Sequence, residues 1–261
     1  MQVEQENSVG FSVNNLVDKV YVLTVKTFGD RIAHIEREMS KHGIEFQFVF
    51  AHDIPDLDVD ILESVFSNSE LTLAQKSLVL KHIYTWRDAK EHSYQRILVF
   101  EDDVVLAEEF CSVFKKVMNA SISVNAGYLI FLGGADAKVP DYFLLSKETL
   151  VQLPIATTEA YVTDLEAINF RLDWLVNHKI NLPSDHLIQK MDPELGIVNY
   201  WSRKPIVEQG SVKGDFDSYL DSHRRKHSKL YNVLRYRWNK FQRHVLRAKF
   251  AGIRRFFSIS Y

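Results

Sequence analysis

Ile97-Leu-Val-Phe-Glu-Asp-Asp-Val104 decides how this chain folds: an apolar run breaks into Glu101, Asp102 and Asp103, then resumes as Val104, Val105 and Leu106. The run reads as a buried strand, and the three acids stand where it ends. Desolvating a carboxylate costs several kcal/mol unless it is paired or metal-bound. Three in succession therefore invite a divalent cation, and an oxygen-only donor set suits Mn²⁺ or Mg²⁺ better than Zn²⁺. The competing reading is that the acids cap the following turn or stay solvated. Spacing alone leaves both open.

Working outward, apolar strand-like runs alternate with helical patterns. Lys19 to Val25 reads as a first buried strand, Asp30 to His42 as a helix ended by Gly43, and Glu45 to Ala51 as a second strand, the opening of a βαβ arrangement. Asp53 to Asp58 is a loop, and Thr72 to His92 a long helix opened by a Thr72-x-x-Gln75 capping box. Beyond the acids, Glu108 to Met118 is helical, Tyr128 to Leu132 a strand ended by Gly133-Gly134, and Tyr142 to Leu145 a further strand. Ala160-Tyr-Val162 then leads to a helix near Asp164 to Asn177 and a turn at Leu182-Pro-Ser-Asp185. There is no internal repeat. The expected architecture is one α/β layer sandwich, in which ligands collect at the carboxyl ends of the strands.

With 261 residues, 46% of them hydrophobic, the chain can bury a sizeable core as one domain with an appendage. Its net charge of −2 hides an asymmetry. After Asp221 there are 12 Lys and Arg and no acid, leaving 20 bases against 34 acids before residue 222. The division expected is a catalytic domain over residues 15–221 and a basic tail over 222–261. In the tail Leu230, Leu234, Trp238, Phe241, Val245 and Ala248 recur at helical spacing among the bases. That pattern suits an amphipathic helix on an anionic membrane surface. It also suits a helix packed on the acidic domain, while no nucleic-acid motif accompanies the charge. The single cysteine, Cys111, excludes an intramolecular disulfide. No apolar stretch is long enough to span a bilayer, and Met1 to Gly10 does not read as a secretory signal. The expected location is the cytoplasm, on the inner face of the membrane.

If the three acids emerge at the carboxyl edge of a central strand, a cation there bridges to a diphosphate and offsets its developing charge. A nucleotide-sugar donor meets this description. A P-loop, a Rossmann glycine fingerprint and a His-Glu-x-x-His zincin motif are all missing from the sequence.

Several ordered motifs carry a resemblance at this point. They are Val22-Leu-Thr-Val25 with Asp30-Arg31, Phe48-Val-Phe-Ala-His-Asp53, Leu71-Thr-Leu-Ala-Gln75 leading to His82, Leu98 to Asp103, Ala160-Tyr-Val162, Pro183-Ser-Asp185 and Pro205 to Ser211. Together they resemble glycosyltransferase family 25, which includes lipopolysaccharide and lipooligosaccharide galactosyltransferases. The resemblance implies a GT-A type nucleotide-sugar-binding α/β sandwich that inverts the sugar carbon. It further implies a UDP-sugar donor, most readily UDP-galactose, with UDP-glucose or an N-acetylhexosamine donor as alternatives, and a lipid-linked oligosaccharide acceptor. One stretch departs. Where the family often has Glu-Ile-Gly-Cys-x-Leu-Ser-His, this chain has Gln75-Lys-Ser-Leu-Val-Leu-Lys-His82, without the acid, the Gly and the Ser. That loss motivates a rival reading, a noncatalytic scaffold that keeps the fold.

The resemblance assigns candidate roles beside plainer ones. Asp103 is the expected metal ligand, with Glu101 as a second, and Glu101 and Asp102 are also candidates for the donor's ribose or sugar hydroxyls. Thr24, Arg31, Asp53, Gln209 and Ser211 fall in motifs expected to meet the donor. Arg31 would otherwise pair with a nearby acid, and the Gln209-Gly-Ser211 segment would otherwise be only a turn. His82 is either an active-site residue or a satisfied core histidine on the inner face of its helix. Asp185 is either the first-turn acid of a helix or the general base that takes the acceptor hydroxyl's proton.

Overall fold

The computed structural model describes residues 12–67, 70–134 and 137–210, together with 234, 237–239 and 241. Nine strands and seven α-helices are described: β1 Lys19–Leu23, α1 Gly29–Lys41, β2 Gln47–Val49, α2 Val59–Val65, α3 Leu73–Glu91, β3 Arg96–Glu101, β4 Val104–Leu106 and α4 Phe110–Ser121 open the chain. β5 Tyr128–Phe131, α5 Asp141–Leu145, β6 Leu150–Gln152, β7 Ala160–Asp164, α6 Leu165–Asn177, α7 Ser184–Glu194, β8 Val198–Ser202 and β9 Val207–Gln209 follow.

Seven strands form one mixed sheet in the order β2-β1-β3-β7-β5-β8-β6. β1 pairs parallel with β2 and β3, and β5 parallel with β8, while β7 runs antiparallel between β3 and β5. The carboxyl ends of β1, β2, β3, β5 and β8 therefore share one edge, and the start of β7 meets them there. β4 leaves that edge and pairs antiparallel with β9.

Successive side chains of a strand point to opposite faces. Tyr21, Leu23, Ile97, Val99, Leu129, Phe131 and Tyr161 pack on one side with Val79, Leu80, Ile83 and Trp86 of α3 and with Ile168, Leu187, Ile188 and Met191 of α6 and α7. Val20, Val22, Leu98, Phe100, Ile130 and Val162 pack on the other with Ile35 and Met39 of α1 and Phe110, Phe114 and Val117 of α4. The result is a three-layer sandwich with a core on each face.

Local chemistry accounts for the elements that position the site. Thr72 and Gln75 form the expected capping box, with Gln75 N donating to Thr72 Oγ1 at 3.2 Å and Thr72 N to Gln75 Oε1 at 2.9 Å. Asp164 caps α6 by accepting from Ala167 N at 3.1 Å, and also takes the amides of Gly127 at 2.7 Å and Tyr128 at 3.1 Å, which registers β5 against β7. The strand expected over Tyr142 to Leu145 is instead helix α5. Pro140 precedes it, Asp141 occupies its first turn, and Phe143 and Leu144 are buried while Tyr142 is exposed. Extended chain comes later, in β6. The helix α2 and the strands β8 and β9 lie beyond the elements the sequence marked.

Inside the α3 face, Arg171 and Asp192 are fully buried and joined in two parallel bonds of 2.8 and 2.7 Å. Arg171 also donates to Thr163 Oγ1 at 2.9 Å and stacks over Trp86 at 5.3 Å. This pair ties α6 to α7. Arg171→Met is expected to destabilise the protein by about 3–5 kcal/mol, because Asp192 is left charged and buried. Urea unfolding at constant m value reads the loss, and an Arg171→Met/Asp192→Leu double variant should recover much of it.

The boundary at residues 221 and 222, Ser211 and most of the basic tail lie outside the described residues. Leu234, Trp238 and Phe241 are helical and exposed, with the Trp238 and Phe241 rings 5.9 Å apart. Among the described residues no helix is long and apolar enough to cross a membrane.

Candidate active site at the carboxyl edge of the sheet

Strand alternation divides the acidic triplet. Glu101 is the last residue of β3 and follows Ile97 and Val99 toward the α3 and α7 side, whereas Asp102 turns toward α1. Asp102, 5% exposed, accepts from Thr24 Oγ1 at 2.7 Å and from Arg31 at 2.6 Å. Burial pushes its carboxyl up, and Arg31 and the Thr24 hydroxyl pull in the opposite direction. Thr24 follows β1 and Arg31 lies in the first turn of α1, so Asp102 joins the end of β1 to α1. Arg31 thus pairs with an acid, Asp102.

Glu101 accepts from Thr158 Oγ1 at 2.7 Å, and the Thr158 oxygen lies 3.3 Å from Ser184 Oγ. Ser184 opens α7, and Asp185 is the next residue. The acidic cluster and the Pro183-Ser-Asp185 turn, distant in sequence, are thus brought to one place by two hydroxyls. Burial, then the charge of Asp103, push the Glu101 carboxyl up to about 8. Asp103 is buried, and its carbonyl accepts from Gly210 N at 2.6 Å. Gln209 pairs with Val104 in the β4–β9 ladder, so the Gln209-Gly210 segment reaches the triplet as a strand end.

A fourth acid belongs here that sequence reasoning missed. Glu159, 5% exposed, accepts from Gly134 N at 2.6 Å through its side chain and from Glu101 N at 2.9 Å through its carbonyl. Its charge also raises Glu101. A Cβ at position 133 would overlap the Glu159 side chain, and one at 134, where φ is +72°, would overlap the Trp201 indole. Gly133-Gly134 is therefore required by packing of the edge on itself.

Other expected site residues have internal partners. Asp53 accepts from Lys81 Nζ at 2.7 Å and from Lys26 N at 2.9 Å, and is 3% exposed. Lys81 also donates to Ala51 O at 2.7 Å, so the lysine standing where the family often has Ser fastens the chain after β2 onto α3. His82 is 1% exposed, with Nδ1 2.9 Å from Tyr161 OH, which Trp86 Nε1 also approaches at 3.2 Å. Its Nε2 is buried and has no hydrogen-bond partner among the described residues. His82 is thus enclosed in the core with one ring nitrogen partnered and the other not.

Burial holds the His82 pKa down from 6.5 to about 3, with Arg171 adding to the effect. The folded protein then binds fewer protons than the unfolded chain between those values, so His82 contributes stability that is present above pH 6.5 and is lost as pH falls toward 3. His82→Gln is expected to flatten the acid limb of stability in that window. Urea midpoints measured across pH for both proteins check this.

Among the described residues no three His, Cys, Asp or Glu side chains converge as a ready metal site. With Asp102 held by Thr24 and Arg31, the other two acids of the triplet are Glu101 and Asp103. Two carboxylates fit a Mg²⁺ or Mn²⁺ that takes its remaining ligands from water and substrate phosphates.

A mixed α/β sandwich with acids gathered at the carboxyl ends of parallel strands defines a class of protein that binds its ligand at that edge. Residues 17–166, more than half of the chain, match glycosyltransferase family 25 (LPS biosynthesis protein), and the chain belongs to that family. It is 25% identical over 166 residues to the lacto-N-neotetraose biosynthesis glycosyltransferase LgtE of Neisseria gonorrhoeae, covering 59% of each chain. It is 28% identical over 92 residues to LgtB of Neisseria meningitidis serogroup B, covering 34% of each. To the lipooligosaccharide biosynthesis protein lic2B of Haemophilus influenzae it is 29% identical over 91 residues, again 34% of each. The chain thus spans between about a third and three-fifths of these relatives' length. A crystal structure of a glycosyltransferase involved in glycosylation of the major capsid of PBCV-1 superimposes with a TM-score of 0.44 at 10% identity, over 84% of this chain and 99% of that one.

Proposed function

We propose that this chain is a metal-dependent inverting glycosyltransferase of GT-A type that moves a hexose, galactose by preference, from a UDP-sugar to a lipid-linked lipooligosaccharide acceptor. The observation that carries the reading is the joining of Glu101 to the Asp185 turn through Thr158 and Ser184. The acids read as the donor side and the turn that carries the candidate base are thereby linked. Family membership and the names of the relatives support the reaction class and the kind of acceptor. The basic tail supports work at the cytoplasmic face of an inner membrane.

Glu101 and Asp103 would hold Mn²⁺ or Mg²⁺, whose charge would offset that developing on the leaving diphosphate. Asp102 keeps Thr24 and Arg31 beside the cluster, which shapes the donor side. Gln209 reaches the same place from β9. Asp185 lies in the first turn of α7. It would take the acceptor hydroxyl's proton as that oxygen bonds to the sugar carbon on the face opposite the leaving group.

A panel of UDP-galactose, UDP-glucose and UDP-N-acetylhexosamines, each with and without Mn²⁺, tests the proposal by release of UDP. The expected outcome is metal-dependent turnover, fastest with UDP-galactose. Neither turnover nor metal-dependent UDP binding across the panel would favour the noncatalytic scaffold.

A further inference from the structure

Thr158 is the residue through which the two parts of the candidate site touch. It lies just before β7, is 7% exposed, and donates its hydroxyl proton to Glu101 at 2.7 Å. A threonine hydroxyl has one proton, so in the 3.3 Å contact Ser184 is the donor and Thr158 the acceptor. Ser184 is itself 6% exposed and is the first residue of α7, whose N-cap, Pro183, makes no side-chain cap. The bond to Thr158 is therefore a tie on a helix start that has no cap of its own. Asp185 accepts from the neighbouring His186 amide at 2.8 Å, a bond within the same turn that does not locate the turn against the sheet.

We infer that Thr158 is a positioning residue: it fixes the first turn of α7, and Asp185 with it, against the carboxylate that ends β3. The inference rests on the reading of Asp185 as the base. Residue type matters here. A β-branched side chain has restricted χ1 freedom, so the direction of the Thr158 oxygen is set by the backbone. That backbone is anchored next door, where Glu159 takes the Glu101 amide at 2.9 Å and the Gly134 amide at 2.6 Å. Valine would keep the shape and remove the bridge, whereas serine would keep the bridge with a freer rotor.

The test compares Thr158→Val, Thr158→Ser and Asp185→Asn in the full chain. Three quantities are read: kcat and KM for UDP-galactose hydrolysis with Mn²⁺, melting temperature, and amide hydrogen exchange over residues 184–188. Thr158→Val is expected to lower kcat at least about tenfold with KM unchanged, since small misplacements of reacting groups are costly. It should also speed exchange in the first turn of α7, and Thr158→Ser should restore most of both. Unchanged exchange in Thr158→Val would overturn the inference, and so would a kcat loss that tracks melting temperature and is not rescued by serine. The exchange readout needs no donor, so it decides even where UDP-galactose is not turned over. An Asp185→Asn variant with full activity would remove the base reading; an inactive one beside a fully active Thr158→Val would remove this inference alone.

Discussion

Asp185→Asn is expected to lower turnover of the UDP-sugar by about 10²- to 10⁴-fold, the usual contribution of a positioned general base, while leaving UDP affinity unchanged. Asparagine keeps the shape and the bond to the His186 amide, so the fold has no reason to change. Only the capacity to take a proton is lost. Single-turnover rates and UDP titrations of the two proteins separate chemistry from binding. Equal turnover would return Asp185 to the plain role of a first-turn acid on α7.

Asp103→Ala should act on the other half of the reaction. Removing it takes away one carboxylate of the triplet and leaves Asp102 in its bonds to Thr24 and Arg31. Metal-dependent UDP binding is expected to disappear, with turnover falling by about 10²- to 10³-fold as stabilisation of the leaving diphosphate is lost. Calorimetric titration of UDP with and without Mn²⁺ measures the binding arm. The Asp103 carbonyl bond to Gly210 N comes from backbone and survives the substitution, so the β4–β9 ladder should persist. Metal-dependent binding that survived in Asp103→Ala would remove this residue from the cation site.

Much of the site's location was legible in sequence because strand ends are easy to read. An apolar run that breaks into acids ends at the carboxyl edge, and the capping box marks the start of α3 by its own hydrogen bonds. What spacing withheld was the division of labour within the triplet. Alternation sends Glu101 and Asp102 to opposite faces, but only the folded chain supplies Thr158 for one and Thr24 with Arg31 for the other. Glu159 left no signal because its role depends on Gly134, 25 positions away in sequence.

The misplaced elements have similar causes. Asp141–Leu145 is short and apolar enough to pass for a strand, and its helical character comes from Pro140 at its start and from burial of two adjacent residues. The departure around Lys81 looked like a loss in sequence. In the fold its ammonium finds Asp53 and the Ala51 carbonyl, a partnership set by the close approach of the β2 end to α3. His82 follows the same logic, since its neighbours Tyr161 and Trp86 fill the core beneath β7.

Whether the carboxyl edge of the sheet is the donor site is tested most directly by a crystal structure of the full chain with UDP and Mn²⁺. The expected result is a diphosphate beside Asp103 and Glu101, a cation bound by their oxygens, and the Asp185 carboxylate on the opposite side of the sugar's place. A diphosphate bound away from this edge, with both acids making no contact to metal or nucleotide, would contradict it.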